Sequence, residues 1–124
     1  MGRHRLTQLG AVLAALALAA CGGGGDGGGG GPPVIPPVTP SMAVNVTNNS
    51  FSPPNAGIAP GQTVTWTWNT AGQTHNVRWE QATGGLVNSM DMTTGTFQQQ
   101  FNSQGVFHYL CTIHANMEGW VTVQ

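Results

Sequence analysis

The chain has 124 residues, of which only 6% are charged, with three arginines, no lysine and four acidic side chains. So few basic groups exclude a nucleic-acid surface, which needs lysine and arginine clustered along one face. The length suits one modest domain with some accessory sequence.

Arg3 and Arg5, an apolar run from Leu6 to Ala20 and small residues before Cys21 have the layout of a secretory signal over residues 1–20. The apolar run is short for a bilayer span. Leu18-Ala19-Ala20-Cys21 resembles a bacterial lipobox, which implies that Cys21 carries lipid and becomes the mature N-terminus. From Gly22 to Pro40 the sequence is Gly-rich and then Pro-rich, with almost no side chains able to build a core, so residues 21–41 read as a lipidated cysteine followed by a disordered tether. Export to the periplasm or cell surface, with a membrane contact through the N-terminal lipid, is the expected location. Beyond the signal, Arg78 stands alone against Asp26, Glu80, Asp91 and Glu118, a formal charge near minus three. Such a surface offers little long-range steering toward a charged partner.

Residues 42–124 form the domain. Val44 and Val46 lead to Phe51; Val64, Trp66 and Trp68 alternate with Thr63, Thr65 and Thr67; Phe97, Gln99 and Phe101 follow. Phe107, Tyr109 and Cys111 share one parity, as do Val121 and Val123. This period of two marks short half-buried strands. Turn signals fall between them at Ser52-Pro-Pro-Asn-Ala-Gly57, Ala59-Pro-Gly61, Ala71-Gly72, Gly84-Gly85 and Ser103-Gln-Gly105. No convincing helical period is present, with Asn88 to Thr94 the one place for a single helical turn. The pattern predicts an all-β fold, a small antiparallel sandwich with Greek-key connections.

The residues that carry chemistry lie near the C-terminus, where Cys111-Thr-Ile-His114-Ala-Asn-Met117 puts a thiol, an imidazole and a thioether at three-residue intervals before the last strand. Sulfur donors favour Cu(I) and imidazole accepts both oxidation states, so this donor set suits copper. His75, in Thr74-His75-Asn76-Val77-Arg78-Trp79, supplies a second imidazole. Two nitrogens, a thiolate and a weak axial thioether describe the trigonal site of blue-copper electron carriers. By parity Cys111 reaches that site from inside the sandwich, while His114 and Met117 follow in an exposed loop at one end.

The sequence resembles the cupredoxins, or type 1 copper proteins, over about residues 42–124, and its C-x-x-H-x-x-M loop looks most like the short ligand loop of the amicyanins. Gly61-Gln-Thr-Val64-Thr-Trp66, Thr96-Phe97 to Phe101 and Gly105-Val-Phe107-His-Tyr109-Leu-Cys111 stand in the family's order. The resemblance implies one type 1 copper per domain, held by His75, Cys111 and His114 in the plane with Met117 axial, and Asn76 fastening the two ligand segments together. It departs from plastocyanin in having only Ala115 and Asn116 between the second histidine and the methionine, and in having Leu110 where plastocyanin has a tyrosine on its remote face. With Cys21 given to lipid and Cys111 to metal, no disulfide is expected, although paired cysteines are the usual reading in an exported protein.

Other candidates read as structural. His108 has the opposite parity to Cys111 and is expected on the outer face or toward solvent. Met90 and Met92 are expected to pack the loop near the copper end, ahead of forming a weak Cu(I) site. Trp66, Trp68, Trp79 and Trp120 read as packing residues, with Trp120 nearest the ligand loop. The function implied is a monomeric one-electron carrier that cycles copper between Cu(II) and Cu(I) and exchanges electrons with a redox protein, such as a c-type cytochrome or a copper oxidoreductase. Copper storage or delivery is the alternative. An enzyme of the nitrite-reductase or multicopper-oxidase kind would need further histidines, and only His108 is unassigned in the mature chain.

Overall fold

A computed structural model describes residues 31–81 and 84–124. The signal over residues 1–20 and the lipid site at Cys21 lie outside the described residues. Nine strands run in chain order: β1 Thr39–Pro40, β2 Ala43–Thr47, β3 Ser50–Ser52, β4 Asn55–Ile58, β5 Thr63–Trp68, β6 Arg78–Trp79, β7 Thr96–Gln100, β8 Gly105–Leu110 and β9 Glu118–Val123. They make a five-stranded sheet in the order β1-β4-β9-β8-β6 and a four-stranded sheet in the order β3-β2-β5-β7. The all-β sandwich is the one expected, and no helix occurs among the described residues. Asn88 to Thr94 is extended at its centre, where Met92 bridges His75.

The period of two is realised directly. In β5 the side chains of Val64, Trp66 and Trp68 are buried while the intervening threonines are half-exposed, and Val44 and Val46 do the same in β2. β-Branched and aromatic residues fit such a pleated, half-buried surface. Between the sheets Tyr109 meets Phe51, Trp66 and Trp79 edge-on, with ring centroids 4.8, 5.4 and 5.2 Å apart. Each such pair adds about 0.5–1.5 kcal/mol beyond its buried area.

Two features correct the sequence reading. The sheets are mixed: β2 pairs with β5, β1 with β4 and β4 with β9 in parallel, while the remaining pairs are antiparallel. The chain crosses between sheets from β4 to β5, so β5 returns beside β2 in the same direction, which alternation within one strand does not encode. The Pro-rich end of the expected tether also joins the fold. Thr39–Pro40 pairs with β4, and the Asn55 side-chain amide donates to the Pro36 carbonyl at 2.9 Å. Proline reads as linker in composition, yet an edge strand tolerates it because one side of its backbone needs no partner.

The antiparallel pair β8 and β9 sets the position of the site. Their register places Tyr109 opposite Gly119 and Leu110 opposite Glu118, so residues 111–117 form the connection at one end of the sandwich. Gly119 lies directly beneath the Tyr109 ring, where a methyl group would come within 2.5 Å of both Cζ and the hydroxyl oxygen. Gly119→Ala is expected to destabilise the domain by about 1–3 kcal/mol through overpacking. Chemical denaturation checks this, and pairing it with Tyr109→Leu is expected to recover part of the loss.

Candidate metal centre

The connection between β8 and β9 begins where Cys111 continues the inward parity of Tyr109, and its thiol is buried. The backbone N–H of Cys111 donates to the Met117 carbonyl at 2.9 Å, which closes the loop. Asn116 turns the chain at φ 61°, a left-handed conformation that asparagine accepts more readily than most residues. His75 comes from the segment between β5 and β6. Its backbone exchanges two 2.9 Å hydrogen bonds with Met92, and its carbonyl accepts the Trp68 indole N–H at 3.2 Å.

These constraints bring His75, Cys111 and His114 together, with one ligand atom from each lying within 4.8 Å of the others. Cys111 Sγ is 3.8 Å from His75 Nδ1 and 3.7 Å from His114 Nδ1. Those separations test the fit of a metal. A metal–sulfur bond of about 2.3 Å and a metal–nitrogen bond of about 2.0–2.1 Å, taken from zinc sites and opened to about 120°, put sulfur and nitrogen ~3.7–3.8 Å apart. The same bonds at a tetrahedral angle give about 3.6 Å. Both separations suit a sulfur and two nitrogens shared by one metal ion, and the soft sulfur with two imidazoles is a donor set for copper. His75 and Met117 are buried, whereas His114 is half-exposed. The connection thus supplies one donor with an edge toward solvent.

Asn76, buried beside His75, spans the two segments. Its Oδ1 accepts the Thr112 backbone N–H at 2.9 Å, and its Nδ2 donates to Thr112 Oγ1 and to Asp91 Oδ1, both at 2.8 Å. The neighbours of two candidate ligands are therefore bonded side chain to backbone and side chain to side chain. Asp91 is the residue that sequence reasoning missed; it lay between the two methionines, and no spacing pointed to it. Of those methionines, Met92 packs against the core and Met90 is 78% exposed, so only Met92 fills the loop as expected.

His108 lies on the outer face, as parity predicts. Its ring stacks on Trp120 with centroids 4.7 Å apart, and its two nitrogens contact Glu80 at 2.8 Å and Glu118 at 2.9 Å. Trp120 packs under His108 on that face. Arg78 reaches Asp91 at 3.3 Å.

Burial, with the neighbouring His114 imidazole in second place, lowers the His75 pKa below its ordinary value of 6.5, and its Nε2 is buried without a hydrogen-bond partner. A neutral ring is the form that binds a metal. The unfolded chain takes up a proton on this group at higher pH than the folded chain does, so folding stability rises with pH through that interval. The metal-free domain is expected to lose stability as pH falls below 6.5, and His75→Gln to flatten that slope, measured by denaturant titration at several pH values.

Comparison with known proteins fits this geometry. A family model of copper-binding proteins of the plastocyanin/azurin family matches residues 39–124. Amicyanin-alpha of Methylorubrum extorquens is 33% identical over 87 residues, covering 68% of this chain and 72% of its own. Halocyanin of Natronomonas pharaonis is 37% identical over 79 residues, covering 60% of this chain and 48% of its own. Among solved structures, a purple cupredoxin from Nitrosopumilus maritimus is similar with a TM-score of 0.60 and 30% identity, over 68% of this chain and 100% of its own. With its sandwich, its cluster of thiol and imidazoles and this match over the whole domain, the chain belongs to the plastocyanin/azurin family of copper-binding proteins.

Proposed function

We propose that the protein is a one-electron carrier with a single type 1 copper held by His75, Cys111 and His114, and with Met117 as a weak axial ligand. The observation that carries this reading is the pair of imidazole Nδ1 atoms at 3.7 and 3.8 Å from one buried thiol. Copper bound there supplies a couple between Cu(II) and Cu(I).

The chain's own residues would do the rest. Buried His75 presents a neutral nitrogen, and Cys111 is fixed at its backbone by the bond to Met117. Asn76 joins the two segments, so the donors keep one spacing in both oxidation states. Met117 is buried at the end of the loop, and its thioether would offer copper a weak, soft fourth donor. His114 is the half-exposed donor, and the exposed Ile113 and Ala115 beside it offer an apolar contact for a redox protein, such as a c-type cytochrome or a copper oxidoreductase.

Burial of His75, Cys111 and Met117 favours retention of the metal through many cycles over storage or delivery. His108, committed to Glu80 and Glu118 on the outer face, supplies no donor to a second copper centre of the enzymatic kind. The lipobox-like sequence at Cys21 and the preceding apolar run support export and anchoring at the cell envelope.

Adding Cu(II) to the metal-free domain is expected to produce intense thiolate-to-copper absorption in the visible that a reductant bleaches. Cys111→Ser is expected to abolish it, and retention of the colour would overturn the assignment. In the same spectra and by voltammetry, Met117→Gln is expected to keep copper and lower the reduction potential, because an oxygen donor favours Cu(II). In cells, the full-length protein is expected in the membrane fraction and Cys21→Ala in the soluble one, since stable anchoring takes more than one acyl chain.

A further inference from the structure

We propose that Asp91 is a positioning residue for the metal centre: its carboxylate fixes the orientation of the Asn76 amide and so locks the Cys111 segment to the His75 segment. The inference rests on the copper reading of the site only for its consequence, because the contact itself belongs to the metal-free fold.

Donors and acceptors decide how the Asn76 amide is turned. An ionised carboxylate can only accept hydrogen bonds, and a backbone N–H can only donate. Asn76 lies between one of each, Asp91 Oδ1 and the Thr112 N–H. Only one orientation of the amide satisfies both, with Oδ1 toward Thr112 and Nδ2 toward Asp91. In that orientation the second Nδ2 hydrogen falls on Thr112 Oγ1 at 2.8 Å. Reversed, the amide would set oxygen against carboxylate and N–H against N–H at the same time. A buried amide without partners is costly, so a fully matched set holds the side chain in place.

Asp91 is itself held where this requires. The next residue, Met92, exchanges both backbone hydrogen bonds with His75. The Arg78 guanidinium, on the same strand segment as Asn76, reaches the same Oδ1 atom at 3.3 Å. The Asn76 contact is the shorter of the two at 2.8 Å. The Asp91 carboxyl is held below its ordinary range, first by the hydrogen bond from Asn76 and then, against some desolvation, by Arg78. The carboxylate is therefore ionised, and acceptor-only, across the neutral range. One chain of contacts runs from Arg78 through Asp91 and Asn76 to Thr112, which adjoins Cys111. Loss of its acceptor would let the Cys111–Thr112 peptide shift relative to His75 and alter the separation between sulfur and nitrogen.

The test compares Asp91→Ala, Asp91→Asn and Arg78→Gln in the metal-free protein, by hydrogen exchange of the Thr112 amide and by NMR of the Asn76 side-chain amide protons. Asp91→Ala is expected to raise Thr112 exchange about tenfold, in line with loss of a charge-assisted hydrogen bond from the network. Asp91→Asn keeps an acceptor and is expected to restore exchange close to wild type, while Arg78→Gln, which removes only the longer contact to Asp91, is expected to raise it by less than Asp91→Ala does. In the copper-loaded forms, Asp91→Ala is expected to shift the visible thiolate-to-copper band and Asp91→Asn to return it. Unchanged Thr112 exchange and Asn76 resonances in Asp91→Ala would overturn the proposal, as would equal effects of Ala and Asn, or an Arg78→Gln variant that matches Asp91→Ala. Because exchange is read without metal, it is separable from the copper reading, which fails instead if the wild-type protein gives no visible band with Cu(II).

Discussion

The site depends on one buried amide. His75 and Cys111 lie 36 residues apart in sequence and arrive from different connections, and Asn76 bonds to the backbone and side chain of Thr112 between them. The two strands behind the ligands, β8 and β9, are already fixed by their ladder, and the bond from Cys111 N–H to the Met117 carbonyl carries that rigidity into the loop. The short ladder of β6 with β8 brings the His75 segment alongside this hairpin, with Arg78 opposite Leu110 and Trp79 opposite Tyr109. Beyond the end of that ladder Asn76 ties the two segments together beside the donors, and a fixed distance is what a metal must have if its surroundings are to change little when its charge changes.

The same economy appears in the electrostatics. Among the described residues, Arg78 faces Asp91, and Glu80 and Glu118 both face His108. Arg78 thus offsets one of the three carboxylates, and so few charges project only a modest field outward. An exposed pair of this kind contributes little to stability, and its effect here is on recognition. An approaching redox protein would find short-range contacts at His114 and its apolar neighbours, with weak attraction from a distance.

Much of this was legible in the sequence because two strong periodicities coincide. Alternation in Thr63–Trp68 and in Phe107–Cys111 set the inward face, and the intervals in Cys111, His114 and Met117 placed three donors on one short loop. His75 was legible as the imidazole the loop lacked, and its neighbour Asn76 through the resemblance to the family. What escaped was non-local. Parallel pairing of β2 with β5 depends on where the chain crosses between sheets, and β1 hid in a Pro-rich segment that an edge strand accommodates. Asp91 escaped because its partners are a single side chain on one segment and an arginine on the same segment, neither marked by spacing. Met90 shows the reverse error: a large apolar residue near the site read as packing, yet its position in the strand-like segment points it into solvent.

The fold presents a ready-made set of donors at His75, Cys111 and His114, a set that would accommodate copper in either oxidation state without rearrangement. Crystal structures of the domain without metal, with Cu(II) and with Cu(I) test this most directly. The account predicts that the Cys111 Sγ to His75 Nδ1 and His114 Nδ1 separations stay close to 3.8 and 3.7 Å in all three, with the Asn76 to Thr112 contacts intact. A loop that reorganises on metal binding or on reduction, or a Cys111 sulfur that moves away from either imidazole nitrogen, would contradict it.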